Sequence, residues 1–169
     1  ASSGPIPQPF SINVAANIHE GKQNKNLKFP RKDLQKGNFT AMKFAAIDIG
    51  SNAIRLQITK VLEYESVITF KKLEYIRFPL RLGHDVFVDG RIGEKKQVGF
   101  MRLMTAYKNL VDLYEVDHLY GCATSAMRES ANGRDLVNLV QELIGLEINI
   151  ISGKEEAEMI NKVISLNLE

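Results

Sequence analysis

The sequence predicts an α/β domain built around one mixed β-sheet, and three observations lead to that prediction. The chain has 169 residues, of which 44% are apolar, so it is long enough to bury one hydrophobic core. Three stretches typical of strands follow one another between residues 44 and 78. After them, helical spacing of apolar residues alternates with short apolar runs, which is typical of strands joined by crossover helices.

The first three elements are strands with short connections. Residues 44–48 form a short apolar run that ends in the turn at residues 48–52. Residues 54–61 alternate apolar and polar side chains, which is the period of a half-buried strand. Residues 65–78 are a third β-rich stretch. Three such strands in succession predict an antiparallel meander.

The period then changes to that of a helix at residues 94–114, where apolar side chains recur every three or four residues. Residues 118–122 form a short strand. A second helix begins at Asn132, which is a favourable N-cap, and ends at Gly145, which is a favourable C-cap.

Residues 147–151 form another strand, and Ser152 begins the last helix. The resulting order is β-β-β-α-β-α-β-α. Three antiparallel strands followed by helix-linked parallel strands are the arrangement of the ribonuclease-H-like fold, the lobe of the actin-like ATPases. In a sheet of this kind, ligands collect at the carboxyl ends of the parallel strands and at the first hairpin turn.

Residues 1–41 differ from the rest of the chain, because they are polar and show no sustained apolar period. We predict a disordered or loosely ordered basic leader there, and one domain over residues 42–169, with Met42 as a candidate natural start. The leader carries six Lys/Arg and two Asp/Glu, or +4, while the whole chain carries +2. The domain is therefore slightly acidic, so a local site must hold any anion. The leader is either without a role in the chemistry or a basic arm for RNA or another acidic partner.

The chain has one cysteine, Cys122, so it forms no internal disulfide, which is compatible with a reducing compartment. No apolar run approaches the ~18 residues of a membrane helix, and the first 30 residues lack the pattern of a secretory signal. We therefore expect a cytoplasmic protein without a membrane partner.

The first motif with chemical potential is the turn Asp48-Ile49-Gly50-Ser51-Asn52. A glycine there lets backbone N–H groups approach an anion, and the serine and the asparagine add side-chain donors. The aspartate at the end of a buried strand is suited to hold Mg²⁺, either directly or through water. The alternative is an ordinary hairpin turn, in which these residue types are common.

The second motif is the segment Ala123-Thr124-Ser125-Ala126-Met127-Arg128, directly after a strand. At that position Arg128 can make charge-assisted contacts to a phosphate, and the threonine and serine offer hydroxyls. The alternative is an arginine in a surface ion pair with a nearby carboxylate.

The third motif lies at the start of the last helix. Ser152 and Glu155 have the spacing of a capping box, which assigns Glu155 a structural role. Glu156 instead heads an apolar helix face that continues through Ile160 and Val163. A partly desolvated carboxylate in that position is suited to general-base catalysis. The alternative is a carboxylate placed there by the helix dipole.

Other nucleotide and metal motifs are absent from the sequence. It contains neither GxxxxGK[ST] nor GxGxxG, which disfavours a P-loop or a Rossmann nucleotide site. The three histidines, His19, His84 and His118, lack metal-ligand spacing among themselves and with Cys122.

Three stretches resemble one family in order and in spacing. Residues 44–52 resemble the first phosphate loop of the exopolyphosphatase / guanosine pentaphosphate phosphatase (Ppx/GppA) family. Residues 123–128, together with Asn132, resemble its central AT-x-x-x-R-x-x-x-N segment. Residues 150–157 are similar to its ISG-x-EEA segment. The resemblance covers about residues 42–166.

The resemblance implies hydrolysis of terminal phosphoanhydrides, in inorganic polyphosphate or guanosine pentaphosphate, with Mg²⁺ as cofactor. Glu156 would activate the attacking water, and Arg128 would grip the terminal phosphoryl group. The cradle for that group would comprise Gly50, Ser51 and Asn52, with hydroxyls from Thr124 and Ser125.

Asp48 would help to position the metal. Members of this family continue into a second actin-like lobe and commonly dimerise through C-terminal parts, so we expect residues 1–169 alone to be inactive or nearly so. Two alternatives stay open: an actin-like kinase lobe that shares the Asp48 turn, and a non-catalytic module that binds polyphosphate or an alarmone. A nucleic-acid partner is not expected.

Overall fold

A computed structural model describes residues 40–64 and 67–167 of the chain. The predicted leader therefore lies outside the described residues, except at its end. The strands are β1 (Thr40–Ile49), β2 (Ile54–Tyr64), β3 (Val67–Phe78), β4 (His118–Ala123) and β5 (Asn149–Ile150). The helices are α1 (Leu82–Asp89), α2 (Glu94–Leu113), α3 (Ser125–Glu129), α4 (Gly133–Ile144) and α5 (Gly153–Asn167).

The five strands form one mixed sheet in the order β3-β2-β1-β4-β5. The three strands of the predicted meander are antiparallel, whereas β4 pairs parallel to β1 and β5 pairs parallel to β4. The mixed α/β class is confirmed. The carboxyl ends of β1 and β4 lie side by side, because Ile49 pairs with Ala123, and this edge brings the first two motifs together.

The main core lies on one face of the sheet, where helices cover it. Alternate residues of β1 and β2, such as Ile47 and Leu56, are fully buried there. They belong to one cluster with helix residues such as Phe100 of α2 and Val140 of α4. A smaller cluster around Phe44 includes the residues of β1 and β2 that alternate with these. Asp48 and Arg55 share this second face, because the strand period of two separates them from the main core.

Two helices were not predicted from the sequence. The first, α1, has eight residues and includes two β-branched valines, and α3 has only five residues, so neither shows a sustained helical period. β1 begins at Thr40, two residues before the predicted domain boundary at residue 42. The predicted strand at residues 147–151 is reduced to the two residues of β5.

Gly133 sets the spacing between α3 and α4. A Cβ atom at this position would lie 2.0 Å from the carbonyl oxygen of Met127 and 2.5 Å from the Ser130 hydroxyl. Only a glycine permits this approach of two backbones. The approach fixes α3, which carries Arg128, against the first turn of α4.

Candidate active site

The turn between β1 and β2 is closed by its own backbone. The Gly50 N–H donates a hydrogen bond of 3.1 Å to the Ala53 carbonyl. The Ser51 hydroxyl lies 2.7 Å from the Ser125 hydroxyl, and either one can be the donor. This contact joins the first predicted motif to the second, as we expected from the position of both at the carboxyl edge of the sheet.

The second motif is a short helix rather than a loop. The Thr124 N–H donates to the Ile49 carbonyl over 3.1 Å, so the motif is anchored to the end of β1. The Thr124 carbonyl then accepts hydrogen bonds from the N–H groups of Met127 and Arg128. Thr124 is 9% exposed, so little of it faces solvent.

Asn132 does not cap α4 with its side chain, contrary to the sequence prediction. Its Nδ2 donates to the Ile92 carbonyl over 2.9 Å, and its Oδ1 accepts from the Ile92 N–H over 2.9 Å. The amide therefore pairs with a backbone 40 residues away. Asn132 holds the segment that leads into α2, a tertiary role that helix capping rules cannot reveal.

Arg128 and Glu156 lie together. The Arg128 Nη1 donates to the Ile151 carbonyl over 2.8 Å and lies 3.6 Å from the Glu156 Oε2. Their side chains are 31% and 36% exposed, so both are half-buried. The Arg128 Nη2 also lies 3.4 Å from the Glu129 Oε1. The surface ion pair that was the alternative for this arginine therefore exists alongside the contact with Glu156.

The capping box at the start of α5 is also confirmed. The Ser152 N–H donates to Glu155 Oε2 over 2.7 Å, and the Glu155 N–H donates to the Ser152 hydroxyl over 3.2 Å. These hydrogen bonds lower the pKa of Glu155. Glu155 is thus occupied by the cap, whereas Glu156 faces Arg128. The predicted apolar face behind Glu156 depends on Ile160 and Val163, whose side chains lie outside the described residues.

Arg55 is the site residue that the sequence analysis missed. It pairs with Asp48 across the hairpin, and its Nη1 lies 2.6 Å from the Asp48 Oδ2. This hydrogen bond raises the pKa of Arg55 above its ordinary value. A Cβ atom on Gly50 would lie 3.7 Å from the same nitrogen, so the cation lies beside the predicted cradle. The signal was available, because a hairpin that turns at residues 50–53 places positions 48 and 55 opposite each other.

Cys122 pairs with Asp48 in the parallel register of β1 and β4. Burial, followed by the negative charges of Asp48 and Glu156, raises the pKa of its thiol to about 12. A thiol with this pKa is protonated at neutral pH and is a poor nucleophile.

An open pocket of about 560 Å³ lies at the same edge. Three predicted residues, Ser51, Asn52 and Ser125, line it together with Glu129. The lining does not include Asp48, Arg128 or Glu156. The predicted site residues therefore fall into two groups: the residues of the pocket, and the charged residues outside its lining, where Asp48 pairs with Arg55 and Arg128 pairs with Glu156.

No group of three His, Cys, Asp or Glu side chains within residues 40–64 and 67–167 is placed to hold a metal ion. Over the same part of the chain, none of the helices combines the length and the apolar character that crossing a membrane requires.

The sheet and its crossover helices place the chain in the class of actin-like ATPase-type lobes. A Ppx/GppA family member from Aquifex aeolicus superimposes with a TM-score of 0.63 at 26% identity, over 69% of this chain and 37% of that one. An exopolyphosphatase from Cytophaga hutchinsonii has the same fold, with a TM-score of 0.63 at 23% identity over 69% and 36% of the two chains.

The sequence comparisons narrow this class to one family. The model of the Ppx/GppA phosphatase family matches residues 61–168. A bifunctional 3-dehydroquinate synthase/phosphatase from Fusobacterium nucleatum is 34% identical over 128 residues, which are 74% of this chain and 19% of that protein. The chain belongs to the Ppx/GppA phosphatase family. It spans little more than a third of the solved relatives and corresponds to their N-terminal part.

Proposed function

We propose that the protein hydrolyses a terminal phosphoanhydride bond of inorganic polyphosphate or guanosine pentaphosphate, and that this lobe supplies one half of the site. The proposal depends above all on the distance of 3.6 Å between Arg128 and Glu156. A cation for the phosphoryl group and a carboxylate for the water then lie side by side.

Glu156 is the general base of the proposed reaction. The oxygen of a water molecule bonds to the terminal phosphorus, and the bond from phosphorus to the bridging oxygen breaks. The leaving group keeps the electron pair of that bond, and Glu156 accepts a proton from the water. Glu155 is less suited to this role, because the Ser152 cap already occupies it.

Arg128 stabilises the charge on the transferred phosphoryl group. Its Nη1 is held by the Ile151 carbonyl, which fixes the direction of the guanidinium plane. Because a guanidinium has five N–H donors, the bond to Ile151 leaves others for phosphate oxygens. Such a site works by positioning and charge stabilisation rather than through a protein nucleophile, which agrees with the protonated state of Cys122.

The cradle of the proposed site comprises the donors of the first two motifs. Ser51, Asn52 and Ser125 line one pocket. The N–H groups of Gly50 and Thr124 are hydrogen-bonded to Ala53 and Ile49, so these two residues hold the ends of β1 and β4 in place. Arg55 adds a second cation beside Gly50. This local positive charge is required, since the domain as a whole carries a net negative charge.

The residues present fit a Mg²⁺ ion that is held mainly by the substrate. Asp48 uses Oδ2 for Arg55, which leaves Oδ1 for a cation, and its side chain is 42% exposed. Mg²⁺ characteristically takes one or two carboxylates and fills its other positions with water and phosphate oxygens. When bound, the ion would neutralise charge on the phosphate chain.

The remainder of the full-length protein would complete the site. The solved relatives are more than twice as long as the part that this chain matches, so we propose that the rest supplies the facing wall of the cleft. The phosphatase name of the Fusobacterium nucleatum relative, which is 34% identical, supports the hydrolytic reaction.

The test measures phosphate release by the full-length protein, with Mg²⁺, from long-chain polyphosphate and from guanosine pentaphosphate. We expect Glu156→Gln to lower kcat at least about 100-fold, because the water loses its base. Glu155→Gln is the matched control: it removes the neighbouring charge, but glutamine also closes a capping box, so activity should stay near that of the wild type.

If the wild type binds these ligands without releasing phosphate, the protein is a binding module. If it releases phosphate and the two variants behave alike, Glu156 is a carboxylate of the helix start and not the base.

A further inference from the structure

The carbonyl groups of the predicted cradle are hydrogen-bonded to the segment that begins α1. The Gly83 N–H donates to the Ser51 carbonyl over 2.8 Å, and the Arg81 N–H donates to the Asn52 carbonyl over 3.0 Å. Residues 81–83 thus hold the turn from the side of α1. Both carbonyl oxygens are therefore engaged by N–H groups of this segment.

This arrangement has an electrostatic consequence for an anion site. A carbonyl oxygen that faces a phosphate repels it, whereas N–H and O–H groups attract it. Residues 81–83 engage the two carbonyls, and Gly83 lines the pocket beside Ser51 and Asn52. The affinity for an anion then depends on how firmly residues 81–83 are held.

The segment is held by a half-buried ion pair. Lys96 Nζ donates to the Arg81 carbonyl over 2.5 Å and lies 2.6 Å from the Asp85 Oδ1. The Asp85 Oδ2 accepts a hydrogen bond from the Gly93 N–H over 3.1 Å. The side chains of Lys96 and Asp85 are only 22% and 17% exposed, so solvent screens this pair less than it screens a surface pair.

The backbone of the segment is under constraint. Arg81 has a φ of 53°, a left-handed conformation that a residue with a side chain adopts only when its surroundings enforce it. A Cβ atom on Gly83 would lie 2.8 Å from the Ser51 Cβ, so the close contact with the cradle requires a glycine. Lys96, which binds the Arg81 carbonyl, is in position to maintain this conformation.

We propose that Lys96 and Asp85 are positioning residues that hold the Ser51–Asn52 turn, through Arg81 and Gly83, in the conformation that accepts a phosphate. Neither residue touches the substrate. The role in anion binding rests on the proposed function. The hydrogen bonds from Arg81 and Gly83 to the turn, together with the contacts of Lys96 and Asp85 that hold them, are called the clamp, and the clamp does not depend on the proposed function.

The experiment compares four variants of the full-length protein. Lys96→Met removes the central cation, and Lys96→Arg restores a charge that can reach Asp85. Asp85→Asn is a milder variant, because its amide oxygen still accepts a hydrogen bond from Gly93. Lys108→Met is the matched control: it removes a lysine of the same helix, whose partner Asp112 lies on the exposed surface of α2.

Two quantities are measured on each variant. The first is hydrogen exchange at the amides of Arg81 and Gly83, the two donors of the clamp. We expect Lys96→Met to accelerate it about tenfold or more, with no change in Lys108→Met. The second is the steady-state kinetics of tripolyphosphate cleavage. We expect Lys96→Met to raise KM about tenfold with a smaller effect on kcat, since binding is weakened while Glu156 is intact.

Lys96→Arg should restore both quantities towards the wild type, and Asp85→Asn should show an intermediate effect. Unchanged exchange at the two amides in both Lys96→Met and Asp85→Asn would refute the clamp. Faster exchange with an unchanged KM would refute its role in anion binding. If the wild type neither binds nor cleaves tripolyphosphate, the proposed function and the anion role both fail, and the exchange rates alone decide whether the clamp exists.

Discussion

Replacement of Gly133 by alanine tests whether the contact between α3 and α4 is as close as the structure shows. The new Cβ would lie 2.0 Å from the Met127 carbonyl oxygen and 2.8 Å from its carbonyl carbon. Ordinary contacts of this kind are about 3.4 Å or longer, so the two backbones must separate by more than about 1 Å. Because backbone atoms cannot rotate away as a side chain can, we expect a cost of about 3 kcal/mol.

Gly133 is the first residue of α4, so the preference of helix interiors for alanine does not offset this cost, and the free energy of unfolding should fall by about 3 kcal/mol. Urea denaturation followed by circular dichroism measures this loss. Gly99→Ala in α2 is the matched control, because its nearest neighbour is the flexible Leu80 Cδ1 at 3.3 Å. That variant should be neutral or more stable by up to about 1 kcal/mol. Equal stability of the two variants would contradict the close approach of α3 to α4.

Two further predictions concern ionisable groups. Cys122, with a pKa of about 12, should react with iodoacetamide at pH 8 about a thousandfold more slowly than an unperturbed thiol, and Glu156→Gln should speed the reaction by removing one of the charges that raise the pKa. Reaction at the rate of a free cysteine would contradict the burial of the thiol. The hydrogen bond from Lys96 lowers the pKa of Asp85 in the folded protein. The ionised carboxylate therefore stabilises the fold at pH values above the ordinary pKa near 4. This contribution is lost as the pH falls through the lower pKa of the folded state. The stability difference between wild type and Asp85→Asn should therefore be present at pH 5 and shrink below about pH 4 in urea titrations. A difference that persists unchanged at pH 2 would exclude the ion pair as its source.

Local sequence rules predicted those features that depend on neighbouring residues. The alternation in β2 and the capping box of Ser152 and Glu155 involve residues a few positions apart, and both are confirmed. The proximity of Ser51 and Ser125 followed from the carboxyl edge of a parallel strand pair.

The features that the sequence analysis missed depend on contacts between distant segments. Asn132 has a side chain typical of a helix N-cap. In the structure this side chain instead forms two hydrogen bonds with the backbone of Ile92. The hydrogen bond from Lys96 to the Arg81 carbonyl involves a residue with a left-handed backbone conformation, which no sequence pattern predicts. Arg55 could have been predicted from the hairpin, because the position of the turn places it opposite Asp48.

The hydrogen bond between the Ser51 and Ser125 hydroxyls at the sheet edge can run in either direction. Either oxygen can donate to the other over 2.7 Å, so the pair has two possible proton arrangements. In each arrangement one hydroxyl hydrogen lies between the oxygens and the other points outward. An anion at the Ser51 end selects one arrangement, and an anion at the Ser125 end selects the other. The loss of this two-fold disorder costs at most RT ln 2, about 0.4 kcal/mol, so the entropy opposes the selection of one arrangement only weakly.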